Sequence, residues 1–280
     1  MKNLLAVGVA ITLGFAWGTA ASAQSREDWT GFSVGILGGA LTTDDDQDEG
    51  LLFDRNLDGV YGDTVSTTTS SNAFAPGFCG GSAKGPVAAN GCEYDKEGME
   101  AAGRVGYDYQ WGSFVVGAIG EISGSTAEDS VTGFSGTPAS YTFKRNLQGV
   151  AAARLRLGYA AGPALIYGTG GYARGRIDNR FFSSNGVNAF TTTSDDEQDL
   201  DGWQAGGGVE YRLTPQLSVT GEYLYTSLDV DDDFVVRIGR GGAPATNPFI
   251  LPPNTTGTDV IRSGDQFKTH GFRIGMAYRF

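Results

Sequence analysis

The segment 54–63 carries the residue types and spacing of a loop that wraps a hard cation. Oxygen-bearing side chains lie at alternate positions, and Gly59 follows, which is the D-x-N-x-D-G pattern of calcium loops. Such loops carry a bidentate glutamate at the twelfth position, where this chain has Val65. The pattern predicts a weak calcium site, with a solvated acidic turn as the alternative. Its ligands would be Asp54, Asn56, Asp58 and Asp63.

The single histidine, His270, is the one side chain that could act as a general base near neutral pH. Acyl hydrolases place such a histidine beside a nucleophilic serine. Here its neighbours in the chain are Thr269 and Gly271, so the sequence supplies no nucleophile beside it. We therefore predict packing at an interface for His270, and no enzyme activity.

The two cysteines, Cys79 and Cys92, have twelve residues between them. In an exported protein such a pair is most simply a disulfide that closes a surface loop. A metal site is disfavoured because no nearby histidine or further thiol would complete it.

The N-terminus has the organisation of a secretory signal. Lys2 precedes an apolar stretch over 4–17, and Ala21-Ser22-Ala23 forms a small-residue cleavage site. The apolar stretch is shorter than the roughly 18–20 residues of a membrane-spanning helix. The sequence thus predicts a signal peptide over 1–23 and a single domain over 24–280.

The composition favours strands and disfavours nucleic acid. The chain has 44 glycines, 16 phenylalanines and 12 tyrosines, which is typical of a strand-rich barrel or sandwich. Its formal net charge is −12, so a general basic surface for nucleic acid is excluded.

Alternating polar and apolar residues predict the elements that position these groups. Eight stretches show the alternation, and each is about as long as the roughly 9–11 residues that a tilted strand needs to cross a bilayer. They cover 29–40, 100–111, 113–123, 147–160 (with 140–145 as an open upstream extension), 164–176, 202–213, 216–228 and 268–280.

The links between these stretches alternate in length. Short links fall at Gly112, at Gly162-Pro163 and at Thr214-Pro215. Long links cover 41–99, 124–139, 177–201 and 229–267. An even strand count with this alternation predicts an all-β, eight-stranded, antiparallel up-and-down transmembrane β-barrel with long extracellular loops and short periplasmic turns.

The two faces of each stretch differ in chemistry. In the last one, Phe272 and Ile274 fall on one face and Arg273 on the other. A soluble carrier would place the apolar face inside. We favour charges inside, because they alternate with small residues that suit a narrow lumen. Opposite charges there should pair and plug it. The predicted luminal network is Arg104, Asp108, Glu121, Arg154, Arg156, Glu210, Arg212, Glu222, Arg273 and Arg279.

Several motifs resemble one family of membrane proteins. They are Trp29-Thr30-Gly31-Phe32, the RLRLGY run at 154–159, the GWQAGGGVEY run at 202–211 and the aromatic strand at 272–280. Together they are similar to the small eight-stranded outer-membrane barrels related to OmpA and the opacity proteins, and most closely to the α-proteobacterial surface branch often described as a porin family.

This resemblance implies an integral protein of the bacterial outer membrane. It implies contact with membrane lipid and lipopolysaccharide, and insertion by the barrel-assembly machinery, with Tyr278 and Phe280 as the assembly signal. The implied function is structural: envelope stabilisation and display of surface loops. The alternative is a small porin-like channel or a surface barrel that binds haem or a cation. No cofactor is expected apart from the calcium discussed above, and the oligomeric state stays open.

Overall fold

The computed structural model describes residues 28–43, 49–95, 97–192, 196–230 and 234–280. The predicted signal peptide, 1–23, lies outside these residues. The described part contains no helix long and apolar enough to cross a membrane. Its strands are β1 (Gly31–Thr43), β2 (Leu51–Asp54), β3 (Phe78–Gly80), β4 (Ser82–Ala83), β5 (Cys92–Glu93), β6 (Gly98–Trp111), β7 (Phe114–Ser135), β8 (Ala139–Ala161), β9 (Ala164–Ser183), β10 (Ala189–Thr192), β11 (Glu197–Arg212), β12 (Leu217–Asp229), β13 (Val236–Gly239), β14 (Gly257–Arg262) and β15 (Gln266–Arg279). Two short 3-10 helices cover Ala88–Asn90 and Pro248–Ile250.

Eight of these strands form a ring of antiparallel neighbours. The order is β1, β6, β7, β8, β9, β11, β12 and β15, and β15 pairs in turn with β1. Val34 of β1 illustrates the register, because it lies opposite Val105 of β6 and Tyr278 of β15. The predicted antiparallel up-and-down order is confirmed.

The two faces of the ring are divided as the alternation predicts. Phe272 and Ile274 are 62% and 69% exposed, whereas Arg273 between them is 2% exposed. Successive strand residues point to opposite sides, so the apolar face is outside and the charged face inside. A soluble carrier requires the opposite arrangement, and that alternative is wrong.

Two of the predicted short links, at Gly112 and at Gly162-Pro163, are tight turns at one rim. Gly112 and Gly162 begin the connections of β6 to β7 and of β8 to β9. Both have positive φ, +66° and +61°, which a glycine adopts without the steric cost of a Cβ.

At the opposite rim, β7, β9 and β11 run further than predicted, since β7 continues to Ser135, β9 ends at Ser183 and β11 begins at Glu197. β8 begins at Ala139, which confirms the open extension over 140–145. The predicted long link over 124–139 is therefore wrong, since only 136–138 join β7 to β8. Register shifts between Gly124 and Ala127 interrupt the alternation, and Val131–Phe134 are buried whichever way they point. The register shift and the burial of both faces remove the alternation of polar and apolar residues from which the strands are predicted.

The other long links fold into a second sheet, which we call the cap and define as β2, β10, β13 and β14. Its core is aromatic and is shared with the protruding ends of β7 and β8. The Phe74 ring lies 4.5 Å from Phe53, 5.3 Å from Tyr141 and 5.9 Å from Phe249, measured between centroids. Buried rings in such contact stabilise the cap beyond their apolar area alone.

The predicted disulfide joins Cys79 and Cys92. It closes a segment, residues 78–95, which we call the flap. The flap lies on β7 through the β3 pairing and a hydrogen bond from the Gly81 amide to the Ser130 carbonyl at 2.6 Å. Asp95 accepts hydrogen bonds from the Ser130 amide and hydroxyl, and burial raises the pKa of its carboxyl.

Candidate functional site

The interior of the ring is filled by two layers of charged side chains. The upper layer, on the side of the cap, comprises Arg104, Arg154, Arg273, Glu100, Glu121 and Glu222. The lower layer, on the side of the short turns, comprises Asp108, Arg156, Glu210 and Arg279. Each of the ten side chains is at most 9% exposed.

In the upper layer, two glutamates each bind several arginines. Glu121 accepts hydrogen bonds from Arg104 and Arg154 at 2.8 Å and from Arg273 at 2.7 Å. Glu222 accepts one from Arg104 at 2.7 Å and another from Arg273. Three guanidiniums face three carboxylates, so the formal charge of the layer is zero. Such pairing offsets the cost of removing these charges from water.

Neutral groups complete the upper layer. Tyr167 donates its hydroxyl to Glu222 at 2.6 Å, and Arg154 donates to the side-chain oxygen of Gln204 at 2.7 Å. Sequence reasoning missed Tyr167, Gln204 and Glu100 as members of the network. The signal was present for Glu100, which shares a strand face with Arg104.

The lower layer is built in the same way. Arg156 donates to Asp108 at 3.0 Å and to Glu210 at 2.7 Å, and Arg279 donates to Asp108 at 2.9 Å. Ser218 adds a hydrogen bond to Glu210 at 2.7 Å. Between the two layers lies a cavity of about 20 Å³, with room for about one water molecule.

Trp29 closes the interior at the short-turn end. It is fully buried, and the guanidiniums of Arg212 and Arg279 lie 4.3 and 5.4 Å from its ring centroid. Arg279 also donates to the Trp29 carbonyl at 2.7 Å, and Arg212 to the Asp28 carbonyl at 2.6 Å. Cation–π contacts of this kind are strongest where water is excluded. The sequence predicts Arg212 as a member of the luminal ion-pair network. In the structure its guanidinium contacts Trp29.

The acidic loop does not assemble the predicted cation ligands. Asp54 is buried and accepts hydrogen bonds from the amides of Leu57 at 2.6 Å and Gly59 at 2.8 Å. Asn56 donates to Asp58 at 2.8 Å, and Asp63 accepts from the Arg55 amide at 2.9 Å. Among the described residues, no three acidic, histidine or cysteine side chains are grouped as metal ligands. Asp54 thus caps a turn by accepting from backbone amides, and the calcium site stays a prediction.

His270 lies on the outer face of β15, as its parity with Phe272 predicts. Its Nδ1 is 2.7 Å from the hydroxyl of Tyr223, and its ring centroid is 5.1 Å from that of Tyr225. These contacts place it in an aromatic cluster on the wall of the ring.

A belt of aromatic side chains surrounds the short-turn rim. Trp111, Tyr159 and Tyr211 are 79%, 51% and 47% exposed. Tyr278 and Phe280, the predicted assembly signal, are also exposed, with ring centroids 5.1 Å apart. Such belts are typical of the interface between hydrocarbon and headgroups.

A ring of eight antiparallel strands with an apolar exterior, an aromatic belt and a buried charged interior defines the class of outer-membrane β-barrel proteins. The chain belongs to the outer membrane protein beta-barrel domain family, whose model matches residues 10–280. It is a protein of the bacterial outer membrane.

Two relatives illustrate the match. The 31 kDa outer-membrane immunogenic protein of Brucella melitensis is 33% identical over 62% of this chain and 78% of the relative. The 22 kDa outer membrane protein of Rhizobium leguminosarum bv. viciae is 30% identical over 45% of this chain and 51% of the relative.

Solved structures give a weaker likeness. The outer membrane protein OprG of Pseudomonas aeruginosa aligns with a TM-score of 0.46 at 14% identity, over 91% of this chain and 99% of that one. The outer membrane protease OmpT of Escherichia coli aligns with a TM-score of 0.42 at 10% identity, over 91% of this chain and 98% of that one. Nothing about function follows from likenesses at this level.

Proposed function

We propose that this protein is a non-enzymatic structural barrel that stabilises the outer membrane and displays a folded cap at the cell surface, with a lumen plugged by ion pairs. The observation that carries the proposal is the interior, where two layers of paired charges and the buried Trp29 occupy the space inside the ring. An eight-stranded barrel is only wide enough for its own side chains.

The proposed orientation follows from the two rims. The short turns and the aromatic belt face the periplasm, and the cap and flap face outward, as in barrels whose long loops are extracellular. Residues 1–23 are removed as a signal peptide, leaving 24–280 as the barrel domain. Insertion uses the barrel-assembly machinery through Tyr278 and Phe280, and the outer face contacts lipid and lipopolysaccharide.

Single-channel recording in planar bilayers tests the plug. We expect no steady openings from the wild-type protein, since an ion would have to displace paired and buried charges. The control is migration on a denaturing gel, where a folded barrel runs faster unboiled than boiled. A folded sample that gives no current is then not explained by unfolded protein. Steady nanosiemens-scale openings would overturn the plug and support the small-channel alternative.

The enzyme alternative depends on His270. Purified protein should not cleave phospholipid or lipid A, because contacts with Tyr223 and Tyr225 hold the His270 ring in the aromatic cluster on the outer wall. Cleavage that disappears in His270→Ala would overturn the non-enzymatic proposal.

A further inference from the structure

A cleft of about 570 Å³ opens at the tip of the protein, on the far side of the cap from the charged layers. Four segments form it: residues of the 67–73 turn, the β7–β8 turn, the 184–188 link and the 244–249 link. Its volume falls within the roughly 300–1,000 Å³ of small-molecule sites. It is separate from the interior described above, which the plug proposal fully accounts for.

The lining of this cleft carries no charge. Its polar groups are amides and hydroxyls of Asn, Ser, Thr and Tyr, and the rest of the lining is Gly, Ala, Pro, Val and Phe. This is notable in a chain with 32 acidic and 20 basic residues, whose interior is built from ion pairs. A charged ligand would lose its hydration here without gaining an opposite charge, so the cleft selects against ions.

The amides at the base of the cleft form one connected network. Asn185 donates to the Tyr141 hydroxyl and to the Asn188 side-chain oxygen, both at 2.8 Å. Asn247 donates to the same Asn188 oxygen at 3.0 Å, and its own oxygen caps the helix Pro248–Ile250 through the Phe249 amide at 3.1 Å. Burial raises the pKa of the Tyr141 phenol, so its hydroxyl stays protonated. The polar groups are thus held in place before any ligand arrives, which lowers the entropic cost of binding.

The backbone around the cleft does not favour an extended peptide. Peptides often bind by adding a strand to an open sheet edge. The strand residues that line the cleft, such as Ala139 and Tyr141, belong to β8, which is already paired with β7 and β9. The remaining lining lies in turns and links. What the cleft offers is side-chain donors and acceptors beside small apolar surfaces from Pro138, Pro244 and Pro248.

We propose that this cleft is a binding site for a neutral saccharide. Sugar hydroxyls donate and accept, as the Ser and Thr hydroxyls and the Asn72 amide of the lining do, and the C–H faces of a pyranose ring suit the proline and alanine surfaces. This inference rests on the proposed function in one respect, which is that the cap must face outward from the cell to meet such a ligand. The sugar comes either from the bacterium's own surface polysaccharide or from a foreign glycan.

The test is binding of the purified full-length protein to an array of neutral and acidic oligosaccharides. One part of the array carries polysaccharide from the producing bacterium, and another carries plant and animal glycans, which separates the two sources. We expect saturable binding to neutral members and none to acidic ones. Binding confined to acidic glycans, or no binding at all, would overturn the proposal.

Two variants localise the site. Thr137→Trp fills the cleft from an exposed turn without touching the amide network, and Asn185→Asp replaces a donor with a charge. Each should weaken binding by about tenfold or more, because the tryptophan blocks the cleft and the new carboxylate breaks the amide network and adds a charge there. The matched control is Thr255→Trp, which adds the same ring at an exposed position outside the cleft and should leave binding unchanged. Equal binding by Thr137→Trp and Thr255→Trp would overturn the site even if Asn185→Asp fails to fold.

This result is independent of the plug. A protein that conducts but binds neutral glycans would overturn the proposed plug and leave the cleft standing. A barrel that does not conduct and binds no glycan would overturn the proposed cleft and leave the plug standing.

Discussion

Glu222 is one of the two glutamates that hold the upper charged layer together. It binds Arg104, Arg273 and Tyr167, and its side chain is fully buried. Glu222→Gln keeps the size of the side chain but leaves three arginines facing two carboxylates. Breaking a buried pair costs about 3–5 kcal/mol. We expect the urea concentration at the midpoint of unfolding in lipid vesicles, followed by tryptophan fluorescence, to be lower for the variant than for the wild type.

The control for this change is an ion pair on the outer surface. Asp199 binds Arg176 at 2.8 Å, but both side chains are well exposed, at 36% and 55%. Asp199→Asn should shift the midpoint far less, because water already screens this pair. Equal shifts for the two variants would mean that water reaches the upper layer and that the interior is not sealed.

At the scale of single residues, the sequence predicts which side chains face inward but not which of them touch. Arg104 and Glu222 could be assigned to the interior because alternation is a local property of each strand. Their contact joins residues of β6 and β12 across the lumen, so it depends on how the ring closes. The sequence places Trp29 in the first strand but does not predict that it closes the interior, because it precedes β1 and its position is set by Arg212 and Arg279 from other strands.

At the scale of elements, prediction succeeded where strands have two different faces and failed where they do not. β15 alternates from Phe272 to Arg279, and its predicted bounds, 268–280, agree with the observed Gln266–Arg279 to within two residues. The protruding end of β7 is covered on both sides by cap and flap, so Val131 carries no alternation to read, whereas 140–145 of β8 still alternates and is predicted as an open extension. The cap combines short strands from distant links, β2 with β14 for example, and no local pattern specifies such a pairing.

The flap is the element whose stability depends on a covalent link. Closing a loop of about 15 residues stabilises it by about 3 kcal/mol through loss of unfolded-state entropy. Cys79→Ser with Cys92→Ser should therefore open the flap more often. Lys84 lies in it and is exposed, so trypsin should cut there faster in the variant than in the oxidised wild type. Adding Lys84→Gln should abolish that cut. An unchanged cutting rate would mean that the β3–β7 pairing alone holds the flap.

For the whole molecule, the two sheets differ in what holds them. The ring is closed by backbone hydrogen bonds from strand to strand, whereas the cap is a short sheet stabilised mainly by its aromatic core. Contacts reach from the cap into the ends of β7 and β8, through Val131 of β7, through Tyr141 of β8 and through the ion pair of Arg262 with Asp129, but the two charged layers lie further down the ring. The cap should therefore unfold without opening the ring.

Phe74→Ala tests this separation, since Phe74 is 3% exposed and its ring contacts Phe53, Tyr141 and Phe249. Truncating a buried phenylalanine costs about 3–5 kcal/mol, enough to unfold a small sheet. We expect rapid proteolysis within the cap links while the unboiled protein keeps its folded migration on a gel. Phe182→Ala, at a position 54% exposed, should change neither. If Phe74→Ala instead makes the unboiled protein migrate as the boiled one does, cap and ring form a single cooperative unit, and the surface structure contributes directly to the stability of the barrel in the membrane.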